Sequence, residues 1–360
     1  MGLRVGVVGV GPVGDRILRV LEERHFPVDG EVRVMATSSR TEQLAGREVQ
    51  VLETTAELFE GLDLCLFAGR EGAKGASTTW GHVAVEAGAV VVDNGGDFRM
   101  HPDYPLVVPE VNMEAVTAAA RHICSPNCST IQMVVALAPL HRAARIRRIV
   151  VSTYQAVSGW GGAAEDELLN QVPAALAGDP VPFDPSIFAR PIAFDCLPHI
   201  DRFTPSGYTK EELKMVHETR KIMGEPNLLI TATTVRVPVL VGHGESINVE
   251  FANPLDAEHA RAILCDPDQA PGVVVVDGPT SDVCAVRDRN APEEMCYPVA
   301  ADLQRDEWKD MVLVGRIRDD TTVEHGLNLW VVADNLRKGA ATNVVQIAEQ
   351  MLERGLLPAH

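Results

Sequence analysis

Apolar positions in the first third of the chain fall into short continuous runs divided by stretches with helical spacing. "LRVGVVGVGPVGDRILRVLEE" opens on a β-branched run, Leu3 to Val8, passes Gly9, Gly11 and Gly14, and continues with Ile17, Leu18 and Leu21 on one helical face. That pattern predicts a strand, a glycine turn and a helix. "VRVMATSS", "LDLCLFAG" and "AVVVDNG" read as further strands, and "TTWGHVAVEAG" as a helix closed by Gly88. Strands alternating with helices predict a parallel, doubly wound sheet. In "SPNCSTIQMVVAL" an apolar run, Ile131 to Leu137, follows N-cap residue types and is expected to end before Pro139. The middle of the chain is richer in strands: "RRIVVSTYQ", "LLITATTVRVPVLVG", "SINVEF" and "MVLVGRIRD", interrupted by helices, suit a mixed sheet. Near the C-terminus Ala340, Ala341, Val344, Val345, Ala348, Met351 and Leu352 line one helical face that ends at Gly355. The fold class expected is α/β, a Rossmann-like doubly wound parallel sheet followed by a second, α+β mixed-sheet domain.

The glycine turn carries chemistry as well as shape. Glycines at G-x-G-x-x-G spacing let the backbone approach a pyrophosphate, and the helix N-terminus offers N–H donors and partial positive charge. The end of the second strand should lie near an adenosine ribose. It offers Ser38, Ser39 and Arg40 rather than an acidic residue, which favours the 2′-phosphate of NADP, although Glu42 stands nearby.

A length of 360 residues exceeds what one core normally supports, so two domains are expected. The net charge of -18 disfavours nucleic acid and anionic membrane as partners. Seven cysteines without framework spacing, no signal-peptide plan and no bilayer-length apolar run predict a cytoplasmic protein with reduced thiols.

Cys128 falls at the predicted start of a helix. The dipole there can lower a thiol pKa from ~8.5 and raise its thiolate fraction, whereas most cysteines are packed hydrophobes. Cys65 lies in a strand, and Cys265, Cys284 and Cys296 lie near loops or strands. Cys124 with Cys128 could form half a metal site, but no second pair completes it, so no metal is expected. A thiolate acting on a carbonyl needs an acid/base and an oxyanion partner. His243, flanked by glycines, and Arg236, seven residues earlier, are candidates.

With those residues in view the chain resembles aspartate-semialdehyde dehydrogenase. The motifs are "DNGGDFRMHPDYPLVVPEVN", "PNCSTIQMVVAL", "STYQAVSG", "IAFDCLPHID", "EELKMVHETRKI", "VRVPVLVGHGE" and "DNLRKGAATNVVQIAE", in family order. The resemblance implies reversible, phosphate-dependent, NADP-linked conversion of L-4-aspartyl phosphate to L-aspartate 4-semialdehyde, feeding lysine, threonine, methionine and diaminopimelate synthesis. It implies a nucleophile at Cys128, an acid/base at His243 and an orienting amide at Gln155. Substrate contacts would come from Arg99, Asn127, Glu211, Lys214 and Arg236. Cofactor contacts would come from Gly9, Gly11, Pro12, Val13 and Gly14 of the turn, and from Ser38, Arg40, Asn94, Asn335 and Gln346. By analogy, residues 1–128 and 334–360 form the NADP-binding domain and 129–333 the substrate and dimerisation domain, in a homodimer.

Read without the family, Glu211 and Lys214 are an ordinary helix pair behind a Thr209/Glu212 capping box, and Asn335 caps the last helix. The chain also departs from the family's usual pattern. Its glycine turn is one residue shorter, Gly95, Gly96 and Asp97 replace small residues, and Ala138 stands where lysine is frequent. Asp97, two residues before Arg99, should weaken phosphate affinity. Rival readings are a related acyl-CoA or other acyl-phosphate reductase and a non-catalytic nucleotide-binding paralogue. "PNCST" argues against the N-acetylglutamyl phosphate reductases, and the co-occurrence of Cys128, Gln155, Arg236 and His243 argues against a silent binder.

Overall fold

The structure is a computed structural model that describes residues 2–69, 72, 75–277 and 297–357. Cys284 and Cys296 lie outside the described residues. The chain divides into two units, 1–127 with 340–360 and 128–339. The first boundary falls one residue before the sequence expectation and the second six residues after it, so Asn335 belongs to the second unit.

In the first unit, β1 (Val5–Val8) leads through the glycine turn into α1 (Pro12–Glu23) and β2 (Arg33–Ala36). β3 (Arg40–Leu44) and β4 (Arg47–Glu53) form a hairpin. β5 (Leu64–Phe67), α2 (Ala76–Glu86), β6 (Val90–Asp93), the short α3 (Pro109–Asn112) and β7 (His122–Cys124) follow. The strand order is β3-β4-β2-β1-β5-β6-β7, parallel except for β3 against β4. All four residues of β1, β5 and β6 are buried, as expected of strands covered on both faces. The hairpin was not foreseen. Its two-residue turn, Ala45-Gly46, has both φ values positive, 51° and 79°, a primed turn that Asn-Gly would have advertised and Ala-Gly does not.

The second unit opens with α4 (Cys128–Ala144), then β8 (Ile146–Gln155), α5 (Gly162–Ala177), α6 (Lys210–Ile222), β9 (Leu229–Arg236) and β10 (His243–Phe251). α7 (Ala257–Cys265), β11 (Val273–Val275), β12 (Val312–Asp319) and β13 (Gly326–Ala333) complete its described elements. The six strands run in the order β11-β12-β13-β10-β8-β9, a mixed sheet. The last helix, α8 (Thr342–Glu353), returns to the first unit and packs on α1. Asn343 within it donates to the Val107 carbonyl and the Ser125 hydroxyl.

Two expectations need correction. α4 does not stop before Pro139 but continues through it to Ala144. Ser129 to Leu140 are all buried, and a helix enclosed on every side is held by packing that outweighs one lost backbone hydrogen bond. The thiols are not all reduced, because Cys265 is disulfide-bonded, while Cys65, Cys124, Cys128 and Cys196 are free. Among the described residues no helix is long and apolar enough to cross a membrane.

Candidate active site

Three strand ends meet at one end of the mixed sheet. β8 and β9 are parallel with Gln155 beside Arg236, and β10 is antiparallel to β8 with Gly244 beside Tyr154. The C-terminal ends of β8 and β9 and the N-terminal end of β10 therefore share one end. Pairing brings Gln155, Arg236 and His243 together across long stretches of chain. α4 packs against β8 and β10, and Cys128 is its first residue, so the sulfur stands at the positive end of a seventeen-residue helix. Cys128 is half-buried, and its charge interacts with that of Arg236. Cys65, buried in β5, is the contrast: burial pushes its thiol up to about 12. A Cβ at Gly339 would sit 2.8 Å from the Cys128 Cβ, so only glycine fits there.

Arg236 and His243 face one point. A Cβ added to Gly159 would lie 3.0 Å from Arg236 Nη1 and 3.4 Å from both Cε1 and Nε2 of His243. The Arg236 guanidinium donates to the Ala156 carbonyl at 2.6 Å. Burial lowers its pKa, while Glu211 and Cys128 raise it. The Ala156 N–H donates to His243 Nδ1 at 3.0 Å. Burial, then the charge of Arg236, holds the imidazole pKa well below its ordinary value. Asn335 holds the turn before His243: its Oδ1 accepts from Gly242 N at 2.9 Å and its Nδ2 donates to Ser158 Oγ at 3.0 Å. Its amide is engaged in positioning this turn, and both contacts lie within the second unit.

Gln155 is held from both sides. Thr153 Oγ1 donates to its Oε1 at 3.0 Å, which turns its Nε2 toward Glu211 Oε1 at 3.1 Å. Lys214 Nζ lies 3.5 Å from Glu211 Oε2 and 3.4 Å from Asp201 Oδ2. The expected capping box is present, and buried Glu212 accepts from Thr209 N at 2.7 Å and Thr234 N at 3.1 Å, which latches α6 to β9. This latch fixes Glu211 and Lys214 relative to Gln155 and Arg236. A thiol at a helix end, a planar cation, a carboxylate, an ammonium group and an imidazole thus belong to one unit. That set can hold a small molecule carrying both a carboxylate and an amine while sulfur attacks its carbonyl.

Sequence reasoning missed Glu245, Gln132, Thr153 and Asp201. Glu245 follows His243 by two residues on β10, so both face α4, where Gln132 donates to the His243 carbonyl at 3.4 Å. Glu245 is fully buried, and burial holds its carboxyl pKa well above the ordinary range, with Gln132 opposing. The period-two spacing from His243 was the available signal.

The remaining predicted residues lie in the first unit. Gly9 has φ of 110°, and a Cβ at Gly14 would lie 2.0 Å from the Gly9 carbonyl oxygen, so the turn requires glycine at both. Gly11 has nothing within 4 Å of a built Cβ, and no side chain caps α1, whose first turn includes Pro12 and Val13. An open glycine before uncapped N–H groups fits a pyrophosphate. Asn94 Oδ1, at the end of β6, is buried without a hydrogen-bond partner, as an oxygen awaiting a ligand donor would be. Exposed Arg40 pairs with Glu42 at 2.8 Å and reaches Ser38 Oγ at 3.3 Å. Gln346 is half-buried on α8. Arg99 is buried and donates to the Asn94 carbonyl at 2.8 Å, and Asn127 is buried at the unit's boundary. Asp97 accepts from Gly72 N at 2.9 Å, so its carboxylate ties two loops together. Cys124 groups with Asp93 and His122, their ligand-type atoms within 4.8 Å, rather than with Cys128. Asp93 spends its oxygens on Ser77, Gly95 and His122, making this cluster a buried tie between β6 and β7.

Residues 4–119 match the family model described as semialdehyde dehydrogenase, NAD binding domain, and 137–338 match semialdehyde dehydrogenase, dimerisation domain. The aspartate-semialdehyde dehydrogenase of Aquifex aeolicus (strain VF5) is 47% identical over 99% of this chain and 100% of that protein. Aspartate-semialdehyde dehydrogenase 2 of Vibrio cholerae is 44% identical over 95% of each. Aspartate semialdehyde dehydrogenase II from Vibrio cholerae superposes with a TM-score of 0.82 at 42% identity, covering 98% of this chain and 99% of that one. A second structure of that protein, complexed with ASA, matches equally well.

Proposed function

Because this chain belongs to the aspartate-semialdehyde dehydrogenase family, we propose that it interconverts L-4-aspartyl phosphate and L-aspartate 4-semialdehyde through a thioester on Cys128. The observation that carries this reading is the meeting of Cys128, Arg236, His243, Gln155 and Glu211 within the second unit. The relative complexed with ASA supports the choice of substrate over an acyl-CoA.

Each residue has a physical task. The start of α4 and the charge of Arg236 favour the thiolate of Cys128. Its electron pair forms the S–C bond as phosphate leaves with the C–O bonding pair, and that phosphate takes its proton from water. The planar fork of Arg236 pairs with the substrate carboxylate, and Glu211 with its amine. Gln155, locked by Thr153, orients the acyl group. His243 serves the oxygen of the thiohemiacetal. Lys214, Arg99 and Asn127 supply cations and an amide for the phosphate. Asp201 must release Lys214 in part for this role.

A nicotinamide cofactor is held by the glycine turn, Asn94 and Gln346, with Ser38 and Arg40 selecting the 2′-phosphate of NADP. When bound, it supplies or accepts hydride at the carbon attached to sulfur. A homodimer in the cytoplasm, working in the synthesis of lysine, threonine, methionine and diaminopimelate, completes the proposal. Supporting the homodimer is the match to a dimerisation domain.

The test is NADP reduction by the purified protein with L-aspartate 4-semialdehyde, with and without inorganic phosphate. Phosphate-dependent reduction, abolished by several orders of magnitude in Cys128→Ala, is expected. Activity on an acyl-CoA in place of the semialdehyde would overturn the proposal.

A further inference from the structure

A line of polar contacts in the second unit runs from Gln155 to a residue that touches no substrate in the reading above. Gln155 Nε2 donates to Glu211 Oε1 at 3.1 Å, Glu211 Oε2 lies 3.5 Å from Lys214 Nζ, and Lys214 Nζ lies 3.4 Å from Asp201 Oδ2. Lys214 is thus shared by two carboxylates, one on its own helix and one on the segment between α5 and α6. The Asp201 and Lys214 side chains are 22% and 26% exposed, so solvent screens this pair less than an open surface pair.

Asp201 is held in place by its backbone. Its φ is 64°, in the left-handed region that residues other than glycine seldom take and that Asp and Asn tolerate best. Oδ1 accepts from the Arg202 N–H at 2.7 Å, while Oδ2 faces Lys214. The Lys210 N–H donates to the Arg202 carbonyl at 2.9 Å, and Phe203 bridges to Thr209. The turn that carries Asp201 is therefore fastened to the start of α6, one helical turn before Lys214.

Charge decides what this arrangement does. Glu211 has to attract the substrate's ammonium group and Lys214 its phosphate, yet the two stand three residues apart on one helix and attract each other. Left to themselves they would neutralise one another and blunt both tasks. A second carboxylate on Lys214 draws the ammonium away from Glu211, and its own negative charge favours the substrate's amine. That same charge opposes phosphate.

We propose that Asp201 is a positioning residue that shares Lys214 with Glu211 and so keeps the Glu211 carboxylate available to the substrate's ammonium group. It strengthens selection of an amino-bearing semialdehyde and weakens the hold on phosphate. This rests on the assignment above of Glu211 to the amine and Lys214 to the phosphate.

Asp201→Asn tests it, because asparagine tolerates the same φ and keeps an Oδ1 to accept from Arg202, losing only the charge. NADP reduction by the full-length wild type and variant is measured over ranges of L-aspartate 4-semialdehyde and inorganic phosphate. The two constants should move in opposite directions. KM for the semialdehyde should rise about two- to tenfold, and KM for phosphate should fall by about the same factor. Succinate semialdehyde, the same carbon chain without the amine, is measured as a competitor, and its inhibition constant should change less than about twofold. A disturbed fold would instead weaken all three ligands together. Both KM values moving the same way, neither moving, or an equal loss for the competitor overturns the proposal. Asp201→Gly fits the same φ without any side chain and should repeat the opposite movement; its failure to do so assigns the effect to the new amide and overturns the proposal as well. Lys214→Met separates the causes. A raised KM for phosphate there, without the opposite movement in Asp201→Asn, removes only the role of Asp201. An unchanged KM for phosphate removes the assignment of Lys214, and the proposal with it.

Discussion

Glu245 offers a sharp test of how the site is built. It is fully buried beside Gln132 and two residues from His243, and burial raises its carboxyl pKa well above the ordinary range. A raised folded-state pKa means that the native protein keeps a proton the unfolded chain has already released. The associated stability is complete below the unfolded value of about 4.3 and is lost as pH rises toward the folded value, at about 1.4 kcal/mol per pH unit. Glu245→Gln has nearly the same shape and no proton to lose. Relative to wild type it should gain stability as pH rises above about 4.3, by at most ~1.4 kcal/mol per pH unit, until the folded-state value is passed. Urea unfolding of both proteins at each pH measures the difference. A difference that does not change with pH would mean that Glu245 is ionised in the fold, and the account of the β10–α4 contact would be wrong.

Other consequences follow from single contacts. Glu212→Ala strands two buried backbone N–H groups and should cost about 2–4 kcal/mol, with a raised KM for the semialdehyde because α6 carries Glu211 and Lys214; calorimetry showing no loss would refute the latch. Glu42→Gln releases Arg40, and because exposed pairs are worth ~0.2–1 kcal/mol, KM for NADP should fall by no more than about fivefold while that for NAD stays the same. A rise in KM for NADP would contradict this. Gly339→Ala forces the backbone away from Cys128, and an ångström of misplacement should lower kcat about 10²-fold; wild-type turnover would show that the approach is not tight.

The parts of the fold legible in the sequence were those with strong period and punctuation. The buried run Val5–Val8, the glycine turn and the helical face of α8 were read from residue spacing alone. The β3–β4 hairpin was not, because its turn is Ala-Gly and its strands are largely polar at the edge of the sheet. The end of α4 was misjudged because Pro139 is a local signal and complete burial is not. At the site, Cys128 and His243 declared themselves through a helix start and flanking glycines. Arg236 stood out only by its distance from His243, Gln155 and Glu211 only through the family resemblance, and Thr153 not at all, because they come together through strand register and a helix latch that no local pattern reports. Asn335 looked like a cap or a cofactor contact, and its bonds to Gly242 and Ser158 appear only once β10 and the turn after β8 are in place.

The account depends most on the sulfur of Cys128 carrying the acyl group. Intact-mass analysis of the protein mixed with L-4-aspartyl phosphate and no reduced nicotinamide measures this directly. The account predicts one aspartyl adduct per chain, located on Cys128 by peptide mapping, released by hydroxylamine and lost in Cys128→Ala. Turnover that proceeds with no adduct on Cys128, or an adduct that persists in Cys128→Ala, would contradict it.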